Sequence, residues 1–302
     1  MLYDSIDKLI GNTPTLKFNG ITAFDGEKRL FGKIEYFNPS GSIKDRAALY
    51  MLNDALEKSL INDNSTIIEA TSGNTGIALA MLCASKGLRL IIIMPESMSI
   101  ERRKILSVYG AELVLTPREL GMTGAVNKAK ELNETIPDSF IPSQFTNTAN
   151  PRAHFEMTAK EIEKDVKDLS AIVIGIGSAG TFNGIASYFR AKATKVKIIA
   201  VEPASSPLLS KGVAGKHDLQ GIGANFVPVF ADKDLMDEII SVTDEDAYKY
   251  ARLLASKEGI LCGITSGAAV CAAVKVSDKI KGNILSILPD TGMRYLSTKM
   301  YE

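Results

Sequence analysis

Ala171-Ile172-Val173-Ile174-Gly175-Ile176-Gly177-Ser178-Ala179-Gly180-Thr181 sets four apolar residues, three of them β-branched, directly before a glycine-rich loop. A continuous apolar run of this length reads as a strand covered on both faces, and the loop then opens a helix over residues 181–191. The same order recurs on both sides of it. Strands are expected at residues 30–35, 66–69, 90–94, 112–115, 171–175, 197–202 and 284–288. Helices are expected at 44–56, 75–86, 100–109, 123–132, 152–165, 181–191, 244–257 and 268–280. Thr243 with Asp246 reads as a helix start, after which Ala247, Ala251 and Leu254 share one face. Alternating strand and helix predicts an α/β chain of mainly parallel sheets covered by helices. Turn residues Asn147, Asn150 and Pro151 interrupt the alternation, so a boundary is expected within 141–151. Two α/β domains with a ligand in the crevice between them is the architecture this implies.

Composition narrows the function classes. The 302 residues are 45% apolar and 23% charged, ordinary for a soluble globular chain with room for two modest domains. Lys plus Arg equals Asp plus Glu, 35 against 35, which gives no basic footprint for nucleic acid or an anionic membrane. The N-terminus lacks a signal pattern, and the apolar run at residues 90–94 is far too short to span a bilayer. His154 and His217 are the only histidines, too few for a His-rich metal site. Cys83, Cys262 and Cys271 lack metal or redox spacing and sit among small apolar residues. They read as buried free thiols in a reducing cytoplasm.

Four helix starts carry polar clusters. The Gly175–Gly180 pattern aims backbone N–H groups at one point. Its residues alone leave open a dinucleotide, with Glu202 at the end of the next strand on a ribose, another phosphate, or a tight turn without ligand. Thr71-Ser72-Gly73-Asn74-Thr75-Gly76 makes a compact anion cradle sized for a carboxylate, or else a capped helix. Gly263-Ile264-Thr265-Ser266-Gly267 is a further helix start, with Ser or Thr capping as its plainer reading. In Asn38-Pro39-Ser40-Gly41-Ser42-Ile43-Lys44-Asp45-Arg46, Lys44 falls in the first turn of a helix, where the dipole disfavours an ammonium. Such a position suits a Schiff-base lysine, while a solvated lysine beside Asp45 is the plainer alternative.

Together these segments resemble the cysteine synthase family (O-acetylserine sulfhydrylase and cystathionine β-synthase), pyridoxal-phosphate enzymes of the tryptophan synthase β-like fold, fold type II. The resemblance runs from Ile10-Gly11-Asn12-Thr13-Pro14 through the Lys44 and Thr71 segments to Met94-Pro95-Glu96-Ser97-Met98-Ser99. It continues at Gln144-Phe145, Asn150-Pro151, the Gly175 loop, Gly221-Ile222-Gly223-Ala224 and Pro289-Asp290-Thr291-Gly292. It implies a smaller carboxylate-binding domain at 36–146 and a larger phosphate-binding domain from 1–35 and 147–302. Lys44 would carry the cofactor as a Schiff base and shuttle the α-proton. Gly177, Ser178, Ala179, Gly180 and Thr181 would hold the phosphate, Asn74 the phenolic oxygen and Ser266 the ring nitrogen. Thr71, Ser72, Thr75 and Gln144 would bind the substrate carboxylate. A neutral hydroxyl on the ring nitrogen makes a weaker electron sink than a carboxylate partner, which favours expelling a β-substituent to give an aminoacrylate.

The chain departs from the family at several places. Ala179 stands where glycine is common, a mild change if its backbone angles are ordinary. Thr265 replaces a frequent serine and Met293 a common glutamate. Asn225 stands where the biosynthetic enzymes carry glycine, near the amino-acid entrance. Asp232 would orient or deprotonate a water or thiol, or is simply an exposed loop acid. The expected reaction is therefore cysteine synthesis from O-acetylserine and sulfide, or release of sulfide from cysteine with addition of water or a second thiol. A nicotinamide dehydrogenase is the competing expectation, resting on the glycine loop and Glu202 alone. The resemblance further implies a homodimer, and a possible partner in the C-terminal tail of serine acetyltransferase.

Overall fold

The computed structural model describes residues 2–302. The strands, in chain order, are β1 (Thr15–Lys17), β2 (Leu30–Ile34), β3 (Thr66–Ala70), β4 (Arg89–Pro95), β5 (Glu112–Thr116), β6 (Ser139–Phe140), β7 (Leu169–Gly175), β8 (Lys197–Pro203), β9 (Glu238–Val242) and β10 (Asn283–Leu288). The helices are α1 (Lys44–Glu57), α2 (Asn74–Lys86), α3 (Ile100–Val108), α4 (Gly121–Thr135), α5 (Ala149–Ala153), α6 (Ala159–Asp165), α7 (Gly180–Ala191), α8 (Leu208–Lys211), α9 (Asp244–Glu258) and α10 (Ile264–Val276). The chain divides into two compact units, one of Met1–Ile10 with Lys44–Asn150 and one of Gly11–Ile43 with Pro151–Glu302.

The first unit holds a parallel four-stranded sheet in the order β5-β4-β3-β6. β4 reads Arg-Leu-Ile-Ile-Ile-Met-Pro and buries every residue after Arg89. Ile68, Ile91 and Ile93 pack on Ala125 and Ala129 of α4. Ile92, alternating with them, is directed to the opposite face and is fully buried. Each such aliphatic side chain contributes about 1.5–3 kcal/mol on leaving water. Truncation of Ile92 to alanine would cost about 2–5 kcal/mol.

The second unit holds a six-stranded sheet in the order β1-β2-β10-β7-β8-β9, parallel except for the antiparallel edge strand β1. Its two faces are both covered. Val173 belongs to a cluster with Ala268, Ala272 and Val276 of α10, whereas Ile172 and Ile174 join Phe182, Ile185 and Phe189 of α7. The period of two explains why this strand carries no polar face. Thr243 caps α9 as expected, its hydroxyl accepting the Asp246 N–H at 3.1 Å.

Some elements depart from the sequence expectation. The helix expected over 152–165 is instead α5, a π-helical turn at His154–Thr158, and α6. Gly184 of α7 packs directly against this segment, since a Cβ there would lie 2.2 Å from the Pro151 carbonyl oxygen and 2.8 Å from Phe155 N. The helix expected at 268–280 starts at Ile264 and ends at Val276, so Thr265 and Ser266 lie inside its first turn. Among the described residues no helix is long and apolar enough to cross a membrane. All three cysteines are free and buried. Burial pushes the Cys83 and Cys262 thiols up to about 12 and Cys271 up to about 11.

Candidate active site

In the first unit, β3 delivers the chain to Thr71 at its C-terminal end, and α2 starts three residues later. Thr71 and Thr75 are buried, while Ser72, Gly73 and Asn74 are half-buried. The N-cap of α2 is Gly73, which has no side chain to cap with. The Thr75 hydroxyl donates to Oε1 of Gln144 at 2.8 Å, and Arg102 Nη1 donates to the Ser72 carbonyl at 2.9 Å. Thr71 Oγ1 accepts the Gly73 N–H at 3.3 Å. Loop, helix start and Gln144 thus converge on one polar cradle at a helix N-terminus, which suits an anion. Arg102 was not anticipated from the sequence. Its only signal was membership of the Glu101-Arg102-Arg103 run at the start of α3.

Lys44 is the first residue of α1 and is half-buried. The loop before it belongs to the second unit and is tied to Pro289–Thr291 there. Ile43 N donates to the Pro289 carbonyl at 2.8 Å, Ser42 bridges to Asp290, and Arg294 donates to the Ser40 carbonyl.

The second unit carries the other loop. Ile176, Gly177 and Ser178 follow β7, and Ala179 is the N-cap of α7. Ala179 has φ 63° and ψ 3°, so its angles are not ordinary, and the alanine sits where the left-handed turn into α7 favours glycine. At Gly177 a Cβ would lie 2.4 Å from the Gly221 carbonyl oxygen, so only glycine lets the two backbones meet. Ser178 Oγ accepts the Gly180 N–H at 3.4 Å. Thr181 Oγ1 lies 3.2 Å from Nε2 of the buried His154, whose Nδ1 is 3.0 Å from Thr158 Oγ1. His154 went unassigned in the sequence because its partner Thr181 lies 27 positions further along the chain.

Ser266 lies in the first turn of α10, whose N-cap is Gly263 without a side-chain bond. Its hydroxyl is not a cap. The residue is fully buried and Oγ has no hydrogen-bond partner. The Cys262 thiol is near enough to feel the hydroxyl, yet no group meets Oγ at hydrogen-bond geometry. A buried orphan hydroxyl is costly and suits an external acceptor such as a ring nitrogen. The adjoining Thr265 donates to the Gln220 carbonyl at 3.0 Å, which steadies Gly221 beside the loop.

Two other sequence candidates lie on the surface. Asn225 is exposed. Asp232 is exposed and its Oδ1 accepts the Asp234 N–H at 3.0 Å, capping a short 3-10 turn at Lys233–Leu235. Glu202 is 2% exposed and accepts from Leu209 N at 2.8 Å, Ser241 Oγ at 3.3 Å and the Ser210 hydroxyl. Its carboxylate is committed to its own surroundings, so no acid is left for a ribose and the dehydrogenase expectation loses its second element.

In the second unit, a glycine-lined loop at a helix N-terminus and an orphan hydroxyl in another helix's first turn are what an α/β enzyme with a phosphorylated pyridine cofactor would need. These residues fit pyridoxal phosphate. Residues 6–290 match the model of the "Pyridoxal-phosphate dependent enzyme" family, and the chain belongs to that family. It is 50% identical to cysteine synthase B of Campylobacter jejuni over 99% of each chain. The crystal structure of O-ureido-L-serine synthase matches with a TM-score of 0.95 at 39% identity, covering 100% of this chain and 96% of that one. A hydrogen sulfide-producing enzyme from Fusobacterium nucleatum matches with a TM-score of 0.92 at 45% identity, covering 98% of this chain and all of the other. The expected tryptophan synthase β-like fold type II and the cofactor are both borne out.

Proposed function

We propose that the chain exchanges or expels the β-substituent of a cysteine- or O-acetylserine-type amino acid. The orphan hydroxyl of Ser266 carries this reading, because it offers the cofactor ring a neutral partner. Bound pyridoxal phosphate supplies an electron sink for bonds to the substrate α-carbon. Gly177, Ser178, Ala179, Gly180 and Thr181 hold its phosphate by backbone N–H groups and hydroxyls at the start of α7. Asn74 hydrogen-bonds its phenolic oxygen and Ser266 its ring nitrogen. Lys44 anchors it covalently. The Lys44 amine would take the α-proton and return a proton to the departing β-group.

Thr71, Ser72, Thr75 and Gln144 receive the substrate carboxylate. With the carboxylate fixed, the Cα–H and Cβ bonds are oriented relative to the Lys44 amine, and water is excluded. The smaller unit thus carries substrate recognition and the larger one the phosphate. Asn225 shapes access of the β-substituent, and Asp232 orients the incoming water or thiol. Asp232→Asn keeps a capping side chain and removes only the charge, so an unchanged β-replacement rate would sink the role given to Asp232.

Kinship with a cysteine synthase favours O-acetylserine and sulfide as substrates, and kinship with a sulfide-producing enzyme favours cysteine as donor. Purified protein mixed separately with O-acetylserine and with cysteine, followed by cofactor absorbance and sulfide together, decides between them. Rapid sulfide release from cysteine with little turnover of O-acetylserine rejects the biosynthetic direction. Absence of any cofactor response to either rejects the whole assignment. A cytoplasmic homodimer that receives the C-terminal tail of serine acetyltransferase completes the reading. Light scattering of the purified chain with and without the tail peptide tests it.

A further inference from the structure

β3 carries one ionisable residue. In Thr66-Ile67-Ile68-Glu69-Ala70 an acid replaces the expected aliphatic residue, and Glu69 is 5% exposed. β3 and β6 pair only at Thr66 with Ser139 and Ile67 with Phe140. Beyond that point the chain leaves the ladder and turns at Ser143, where φ is 55°. The Ser143 N–H is received by Oε2 of Glu69 at 3.1 Å. Gln144 follows at once, its side chain accepting from Thr75 at 2.8 Å and its carbonyl from Asn150 Nδ2 at 2.7 Å.

We propose that Glu69 is a positioning residue of the carboxylate cradle: its carboxyl group fixes the backbone of Ser143 and, through it, the Gln144 side chain that meets Thr75. The inference rests on the assignment of Thr71, Ser72, Thr75 and Gln144 to the substrate carboxylate. An acid suits this place only while it is uncharged, since a carboxylate beside an anion cradle would repel the ligand. The surroundings keep it so. Ile68 and Ala70 turn toward α4, which leaves Glu69 on the face with α2. The charged residues of the elements packed on β3 are Arg89 on β4, Lys86 at the last residue of α2, and Lys128, Lys130, Glu131 and Glu134 on α4. Arg89 is paired with Glu112 and Lys128 with Glu131, and none of the six acts on the Glu69 carboxyl. Burial pushes that carboxyl up to about 8, opposed only by the Ser143 hydrogen bond. At neutral pH it is therefore a neutral acceptor, and above that range it becomes a buried anion behind the cradle.

The test uses holoenzyme and propionate, whose own charge is constant between neutral and alkaline pH, with binding read from cofactor absorbance. In the unsubstituted protein propionate binds about tenfold more weakly at high pH than at neutral pH, as repulsion by one partly shielded charge demands. Glu69→Gln keeps an acceptor for Ser143 but cannot ionise, so it binds as tightly at neutral pH and removes that alkaline loss. Glu69→Ala binds about three- to tenfold more weakly throughout, for want of one hydrogen bond, with cofactor content unchanged. If Glu69→Ala does not fold, the Glu69→Gln profile is decisive alone. A Glu69→Gln profile that follows the unsubstituted one overturns the proposal. Gln144→Ala is the control. If it leaves propionate binding intact the carboxylate assignment falls and takes the proposal with it, whereas a weakened control with a pH-dependent Glu69→Gln refutes Glu69 only.

Discussion

The hydroxyl of Thr75 and the amide oxygen of Gln144 meet at 2.8 Å, joining the first turn of α2 to a loop 69 positions further along the chain. A donor inside a helix start is thereby directed at a side chain rather than at its own backbone. The pair fixes the Gln144 side chain against the first turn of α2.

Thr75→Val keeps the shape and deletes the donor. The net value of one such bond is about 0.5–1.5 kcal/mol, so KM for the amino-acid substrate rises about three- to tenfold. Steady-state kinetics across substrate concentration check this, with kcat nearly unchanged. A fall in kcat at constant KM contradicts it.

Ser266→Ala separates folding from cofactor binding. No hydrogen bond is lost in the protein, so the apoprotein melts within about 1 kcal/mol of the unsubstituted chain or slightly above it. The cofactor dissociates faster and its absorption band shifts. Equilibrium dialysis of pyridoxal phosphate and thermal unfolding of the apoprotein measure the two effects.

The loop between β7 and α7 gives opposite outcomes at two nearby positions. Gly177→Ala forces a Cβ within 2.4 Å of the Gly221 oxygen and abolishes tight cofactor retention. Ala179→Gly relieves a left-handed alanine and, after the added freedom of the unfolded chain, stabilises by about 0.5–1 kcal/mol. Denaturant midpoints and cofactor content of the two purified variants check both.

The thiols should be silent in the native state. Unfolded cysteines ionise near the reference value of 9.0, whereas burial holds Cys83 and Cys262 at about 12. Iodoacetamide at mildly alkaline pH therefore labels none of them until denaturant is added. The sign for stability follows: the unfolded state loses these protons first, so stability falls as pH rises above about 9. Labelling of native protein at Cys262 would contradict the burial described.

The Ile91-Ile92-Ile93 and Ala171–Ile174 runs made the two covered sheets legible, because a strand with no polar face needs cover on both sides. β1, β6 and β9 escaped for a different reason. Two of them have three residues or fewer, and Glu238–Val242 opens with an acid beside an edge. The placement of Lys44, the Thr71 cluster and Ser266 at helix starts was readable from residue types, whereas the roles expected of them came from the family resemblance. Glu69, Arg102 and His154 were not readable, since each acts on a residue far away in sequence. The left-handed angles of Ala179 were equally invisible, because alanine gives no sign of the conformation it is made to adopt.

The pairing of β2 with β10 sets Leu30 beside Ile284. On a ribosome adding about 5–20 residues per second, β2 waits roughly ten seconds to a minute for its neighbour. Lys44–Asn150 forms the whole parallel sheet of the first unit in the meantime. The sheet of the first unit is thus assembled during synthesis, and that of the second closes only as the last strand emerges. Chains truncated before β10 would accordingly present a folded first unit, its 71–76 segment and Gln144 included, with the sheet of the second unit unfinished.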